Sequence, residues 1–224
     1  MKTSDESWSG SLRQVGELER PDHWYLTEAD ICYFFGEYSA HKGFSHSVTN
    51  QLIANLKKKP STRGTPQWSY KSGAISRVAR AIAANIQPTV LPTLTFVPIP
   101  PSKPPTSPDY DDRMTQVAKQ ITPGCDVREI LQTVKERDPR HLSGDKRDPA
   151  ALRETLAIRK ELIARPPGRI ILLDDVLTTG CSYTVCREML MDAIPGVEIF
   201  GIFVARRAVD RTSAFEDFFS DDDL

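Results

Sequence analysis

No stretch of this 224-residue chain is apolar for the roughly 20 residues that a membrane-spanning helix needs. The opening MKTSDESWSG is polar and has none of the apolar core of a secretory signal, so no signal peptide is expected. Cysteine is scarce: Cys32, Cys125, Cys181 and Cys186 form no CxxC pair. That argues against a zinc module or a disulfide framework and for the reduced thiols of a cytoplasmic protein. Neither sign of charge dominates. A net charge of -1 is not the electrostatic footprint of a nucleic-acid binder. The phosphate-loop pattern GxxxxGK[ST] is absent, and so is any internal repeat. Hydrophobic residues nevertheless make up 39% of the chain and charged ones 26%, enough apolar material for a folded core. A cytoplasmic protein without membrane or nucleic-acid partners is expected.

The coarse pattern divides the chain. Residues 1–90 read as a helical extension, a hood over a site or a surface for a second copy or another protein. Thr27 is suited to cap a helix, with Glu28 and Asp30 in its first turn, and the aromatic-rich run from Ile31 to Tyr38 follows. Val48, Leu52, Ile53 and Leu56 recur at helical spacing, then Lys57, Lys58 and Lys59 precede Pro60, a run that reads as a solvated helix end, with attraction of phosphates as the alternative. Ile75, Val78, Ala79 and Ile82 mark another helix. Residues 91–210 read as an α/β domain. LTFVPI (Leu94–Ile99) is a short buried strand, followed by a proline-rich loop and a helix from Arg113. Asp111, Asp112 and Arg113 read as the capped start of that helix. DVREILQTV leans to strand, residues 135–149 to a loop, and 151–164 allow helix or strand. Ile170–Leu173 is a strand covered on both faces, residues 182–193 show one apolar helical face, and VEIFGIFVA (Val197–Ala205) is the next strand. This βαβ unit makes the sheet at least partly parallel. Residues 211–224 form an acidic tail.

The chemistry concentrates in IILLDDVLTTGCSY, Ile170–Tyr183. In open α/β sheets ligands sit beyond the carboxyl ends of the strands. Asp174 and Asp175 lie at such an end, and the chain then runs into a helix N-terminus. There the unpaired N–H groups and the helix dipole favour an anion. Thr178, Thr179 and Ser182 add hydroxyls, and Gly180 lets the backbone approach closely. Carboxylates for sugar hydroxyls or a metal stand beside a cradle for a phosphate. A ribose 5-phosphate satisfies both halves.

The stretch resembles the phosphoribosyl pyrophosphate (PRPP) signature of type I phosphoribosyltransferases. The resemblance implies that Asp174 and Asp175 contact the ribose hydroxyls and that Thr178, Thr179, Gly180, Cys181 and Ser182 hold the 5-phosphate, Cys181 through its backbone. VPIPPSK (Val97–Lys103) is similar to the family's pyrophosphate loop, which makes Ser102 and Lys103 candidate contacts. RHLSGDKRDPAALR (Arg140–Arg153) stands where the family has a loop that closes over the site, with Lys146 and Arg147 within reach of pyrophosphate. The arrangement looks most like the ComF-type branch, over residues 94–206. It lacks that branch's zinc module, and SKPPTSPDYDDRM lacks its arginine-rich form, which leaves the acceptor unspecified. The resemblance implies a type I phosphoribosyltransferase-like core with a mostly parallel sheet. It also implies an enzyme that moves the phosphoribosyl group of PRPP to a nitrogen acceptor and releases pyrophosphate. Mg2+ would be held through PRPP, with Asp174 or Asp175 in range. The alternative is a non-catalytic PRPP- or nucleotide-sensing module in a larger assembly.

Other readings of the acidic pair are weaker. A Walker B strand would need the missing phosphate loop, and a receiver-type acidic pair belongs near a domain's start. A structural cap with a solvated neighbour leaves the hydroxyl loop unexplained.

Overall fold

The computed structural model describes residues 8–136 and 148–209. Its centre is a mixed, mostly parallel sheet of six strands, flanked by helices on both faces. In chain order the strands are β1 (Arg13–Gln14), β2 (Cys32–Ser39), β3 (Thr95–Pro98), β4 (Asp126–Val127), β7 (Arg169–Leu177) and β8 (Glu198–Ala208). A separate antiparallel ribbon joins β5 (Leu131–Thr133) to β6 (Leu156–Ile158). The order across the sheet is β1-β2-β8-β7-β3-β4, and only β1 runs antiparallel to its neighbour.

Strand alternation sorts the core into two layers. On β7, Ile171 and Leu173 face one way and Ile170 and Leu172 the other, all buried. The first layer takes α1 (Val48–Leu56), α2 (Trp68–Asn85) and α3 (Arg113–Lys119), through residues such as Leu56, Val78 and Val117. The second takes α5 (Cys181–Ala193), through Val185, Cys186 and Leu190, together with the β5–β6 ribbon. The short helix α4 (Pro149–Arg153) leads into β6. A sheet covered on both faces explains why β7 reads as an unbroken apolar run.

One expectation fails here. The aromatic run from Ile31 was read with a helical N-terminal third, but Cys32–Ser39 is strand β2, paired along its length with β8. Phe34 and Phe35 are both buried, on opposite layers, which a strand allows and a one-faced helix does not. Residues 1–90 are therefore not wholly helical: β2 extends the sheet that the later strands build, and α1 and α2 cover it. Thr27 caps no helix. Its N–H and its hydroxyl both donate to Asp30 Oδ2, at 2.7 and 2.8 Å, in a tight turn. The DVREILQTV stretch holds β4 and β5, and residues 151–164 hold the end of α4, then β6 and a 3-10 turn. Lys146, Arg147 and the tail 211–224 lie outside the described residues.

Candidate functional site

The strand order reverses between β3 and β7. From β3 the chain moves outward to β4, while the later strands β7 and β8 are laid down on the other side. Such a switch point opens a crevice at the strands' carboxyl ends, where ligands bind in open α/β sheets. A pocket occupies that place. Its walls are Pro98–Pro101 after β3, the segment from Tyr110 to Thr115, Leu131–Thr133 of the ribbon, and Asp174. Proline fixes φ and offers no N–H, so the β3 loop forms a stiff wall. It is held at both ends: the Ile99 N–H donates to Leu173 O at 2.9 Å, and the Thr133 hydroxyl donates to Pro101 O at 2.6 Å.

The two carboxylates do not share an environment. Asp174 is among the pocket's walls, and its Oδ1 accepts from the Asp175 N–H at 2.7 Å. Asp175 turns to the layer of α1 and α3 and is buried. Its Oδ2 takes a fork from Arg113, with Nε at 2.8 Å and Nη2 closer still, and its Oδ1 meets Lys57 Nζ at 3.1 Å. Burial alone would raise both acids. At Asp175 the Arg113 and Lys57 charges outweigh burial and hold the carboxyl at about 2. At Asp174 burial and the neighbouring Asp175 charge prevail and push it up to about 7. Two adjacent carboxyls with opposite shifts are disposed for different roles.

The shift at Asp174 has a consequence for stability. A carboxyl raised in the folded state contributes its stabilisation below its unfolded value and loses it as pH rises through about 7. Relative to Asp174→Asn, the wild-type protein should therefore lose melting temperature from pH 5 to pH 8. Asp174→Asn should melt above wild type at pH 8. Parallel curves from differential scanning calorimetry would remove the assignment.

The hydroxyl loop lies beyond the pocket's walls, at the start of α5. Gly180 occupies the N-cap position with φ 88, a left-handed conformation that favours glycine. A Cβ there would come within 3.0 Å of the Leu26 side chain. Leu26 belongs to a segment that docks on the loop's carbonyls. His23 Nδ1 bonds Thr178 O, the Tyr25 N–H donates to Thr179 O at 3.0 Å, and the Thr184 hydroxyl donates to Tyr25 O at 3.1 Å. In a trans peptide the N–H points opposite the carbonyl. The N–H groups of Thr179 and Gly180 thus face away from this segment. Thr179, Gly180 and Cys181 are buried, while Thr178 and Ser182 are half-buried. Gly180→Val should cost about 2–3 kcal/mol from strain and the Leu26 contact, read as a lowered midpoint in urea.

Of the residues singled out for pyrophosphate, Ser102 and Lys103 follow the proline wall but are not among the pocket's walls; Lys103 Nζ pairs with Glu136. Sequence reasoning missed Lys71 and undervalued Lys57, Asp111 and Arg113, which it read as helix ends. The DYDDRM motif was visible, but its partner Asp175 is 62 residues on from Arg113. Tyr110, Glu129 and Arg159 also wall the pocket, and Glu129 Oε1 accepts from the Thr115 hydroxyl at 2.8 Å.

Comparison with protein-family models finds no match to this chain, and no curated protein matches it either.

Proposed function

We propose that the protein binds PRPP in the crevice at the carboxyl ends of β3 and β7 and transfers its phosphoribosyl group to a nitrogen acceptor, releasing pyrophosphate. The observation that carries this reading is one continuous arrangement at a topological switch point. A stiff proline wall faces Asp174, and within six residues of Asp174 the chain passes through left-handed Gly180 into the N-terminus of α5. On this reading the core is type I phosphoribosyltransferase-like. Asp174 meets the ribose hydroxyls from the pocket side, and Asp175 serves from beneath as a buried anchor. Thr178, Thr179, Gly180, Cys181 and Ser182 receive the 5-phosphate. Ser102 and Lys103 flank the pyrophosphate, and Lys146 and Arg147 are further candidate contacts outside the described residues.

The chemistry asks little covalent work of the protein. An oxocarbenium-like transition state needs alignment, charge at the departing pyrophosphate and exclusion of water. Among the described residues, no group of three or more His, Cys, Asp or Glu is placed to hold a metal ion. Asp174 is one of several carboxylates that wall the crevice, beside Asp111, Asp112 and Glu129, which fits Mg2+ carried mainly by phosphate oxygens and water. When bound, the ion would neutralise charge on the leaving group.

Calorimetry with PRPP, with and without Mg2+, followed by a screen of nitrogenous bases for pyrophosphate release, tests the reading. Binding with turnover is expected. Binding without turnover on any base would favour the sensing module. Absence of binding would end both readings. Ser182→Asp puts a negative charge in the proposed cradle, and a folded variant with wild-type affinity for PRPP or ribose 5-phosphate would place the phosphate elsewhere.

A further inference from the structure

Five charged side chains, Lys71, Asp111, Arg113, Asp175 and Lys57, are linked in a chain that the backbone at the end of α1 closes into a ring beside the pocket. Lys71 of α2 is fully buried, and its Nζ donates to Leu56 O and Lys58 O at the end of α1, each at 2.8 Å, and to Asp111 Oδ2 at 2.7 Å. Asp111 Oδ2 also takes Arg113 Nη1 at 3.1 Å, and Asp111 Oδ1 accepts the Arg113 N–H at 3.2 Å. Arg113 forks onto Asp175, and Asp175 meets Lys57, which stands next to Leu56 at the end of α1. The ring thus runs α1, α2, the start of α3, β7 and back to α1. Asp112, at the start of α3, instead bonds Gln116 through its Oδ1.

The ring touches the pocket at two places. Arg113 and Asp111 are themselves pocket walls, and Asp175 presents its N–H to Asp174, the carboxylate that faces the pocket. A guanidinium is the group suited to the corner. It can fork onto one carboxylate through Nε and Nη2 while Nη1 reaches a second, which an ammonium on a flexible stem cannot do. Burying so many charges is not a route to stability as such, since desolvation offsets most of the attraction. Fixed geometry is what such a ring supplies.

We infer that Arg113 is a positioning residue for the pocket: through Asp175 it sets the orientation of Asp174, and through Asp111 it fixes the pocket wall that leads into α3. This inference rests on the PRPP reading, because Asp174 is the group whose aim it controls. A carboxylate that must meet two ribose hydroxyls gains from being held in one rotamer before the ligand arrives.

The test separates aim from stability with Arg113→Lys, which keeps the charge beside Asp175 and loses the fork. Affinity for PRPP with Mg2+ is measured by calorimetry at 15 °C, well below the melting transition, beside a melting curve. Arg113→Lys should melt within a few degrees of wild type and bind about tenfold more weakly. Arg113→Gln should bind more weakly still and also melt earlier. Val78→Ala, a cavity about two turns along α2 from Lys71, should melt earlier and bind as wild type does. Should Arg113→Gln fail to fold, Arg113→Lys carries the decision alone. Wild-type affinity in Arg113→Lys overturns the positioning role and leaves the proposed function standing. Failure of the wild type itself to bind PRPP overturns both.

Discussion

Asp175→Asn should lower the melting temperature by roughly 6 to 12 °C, the largest stability loss expected of any conservative change near the site. The carboxylate is buried between Arg113 and Lys57, and the amide that replaces it carries no charge to answer theirs. Removing one partner of a buried ion pair costs about 3–5 kcal/mol when the other charge has nowhere to go. Here the lower end applies, about 3 kcal/mol. Arg113 keeps Asp111, and Lys57, whose side chain is 44% exposed, can turn to water. For a chain of this size each kcal/mol corresponds to roughly 2–4 °C. The loss should also depend on pH in a defined direction. Asp175 is held at about 2, so its contribution is present above its unfolded value and disappears as pH falls toward 2. Wild type and Asp175→Asn should differ fully at pH 6 and converge near pH 2. A melting difference under 2 °C at pH 6 would show that the pair is not a buried anchor.

Asp174→Asn should do the reverse. Stability should hold at neutral pH or rise, while at pH 8, where the Asp174 carboxyl is ionised, affinity for PRPP with Mg2+ falls roughly tenfold to a hundredfold, because hydrogen bonds to a charged acceptor contribute about 1.5–3 kcal/mol. The side chain is a pocket wall, and its one backbone bond, from the Asp175 N–H, can be accepted equally by the amide oxygen of Asn. A titration beside a melting curve reads both halves. Two neighbouring aspartates would then give opposite phenotypes, one losing the ligand and the other the fold. If Asp174→Asn binds as wild type does, the carboxylate is not the ribose contact and the proposed site loses its central residue.

Much of the architecture was legible because it is written locally. The run Ile170–Leu173 is apolar at every position, as a strand buried on both faces requires, and it lies within β7. Val185, Cys186, Met189 and Leu190 share a helical face and line one core layer on α5. The strand that opens at Thr95 and the helix that opens at Arg113 were placed by a short apolar run and by the polar residues between prolines. The strand β2 was not legible. Its aromatics suit a helix or a strand, and what decides is β8, which offers a parallel partner some 170 residues later.

The candidate site divides the same way. The sequence by itself determined that two carboxylates close a buried strand and that hydroxyls and a glycine open the following helix, since these facts concern neighbours along the chain. It could not determine that the carboxylates differ. Adjacent residues at a strand end point to opposite faces, and what meets each carboxylate comes from elsewhere: Lys57 and the Arg113 fork meet Asp175, and the proline-walled pocket meets Asp174. The lysine run was read as a solvated helix end, and α1 does end there, but Lys57 is drawn back to Asp175 and Lys71 reaches the carbonyls beside it. Charge acts through space and burial, and neither is defined until the helices are packed on the sheet. Tertiary structure alone therefore decided which aspartate is held between cations and which one faces the pocket.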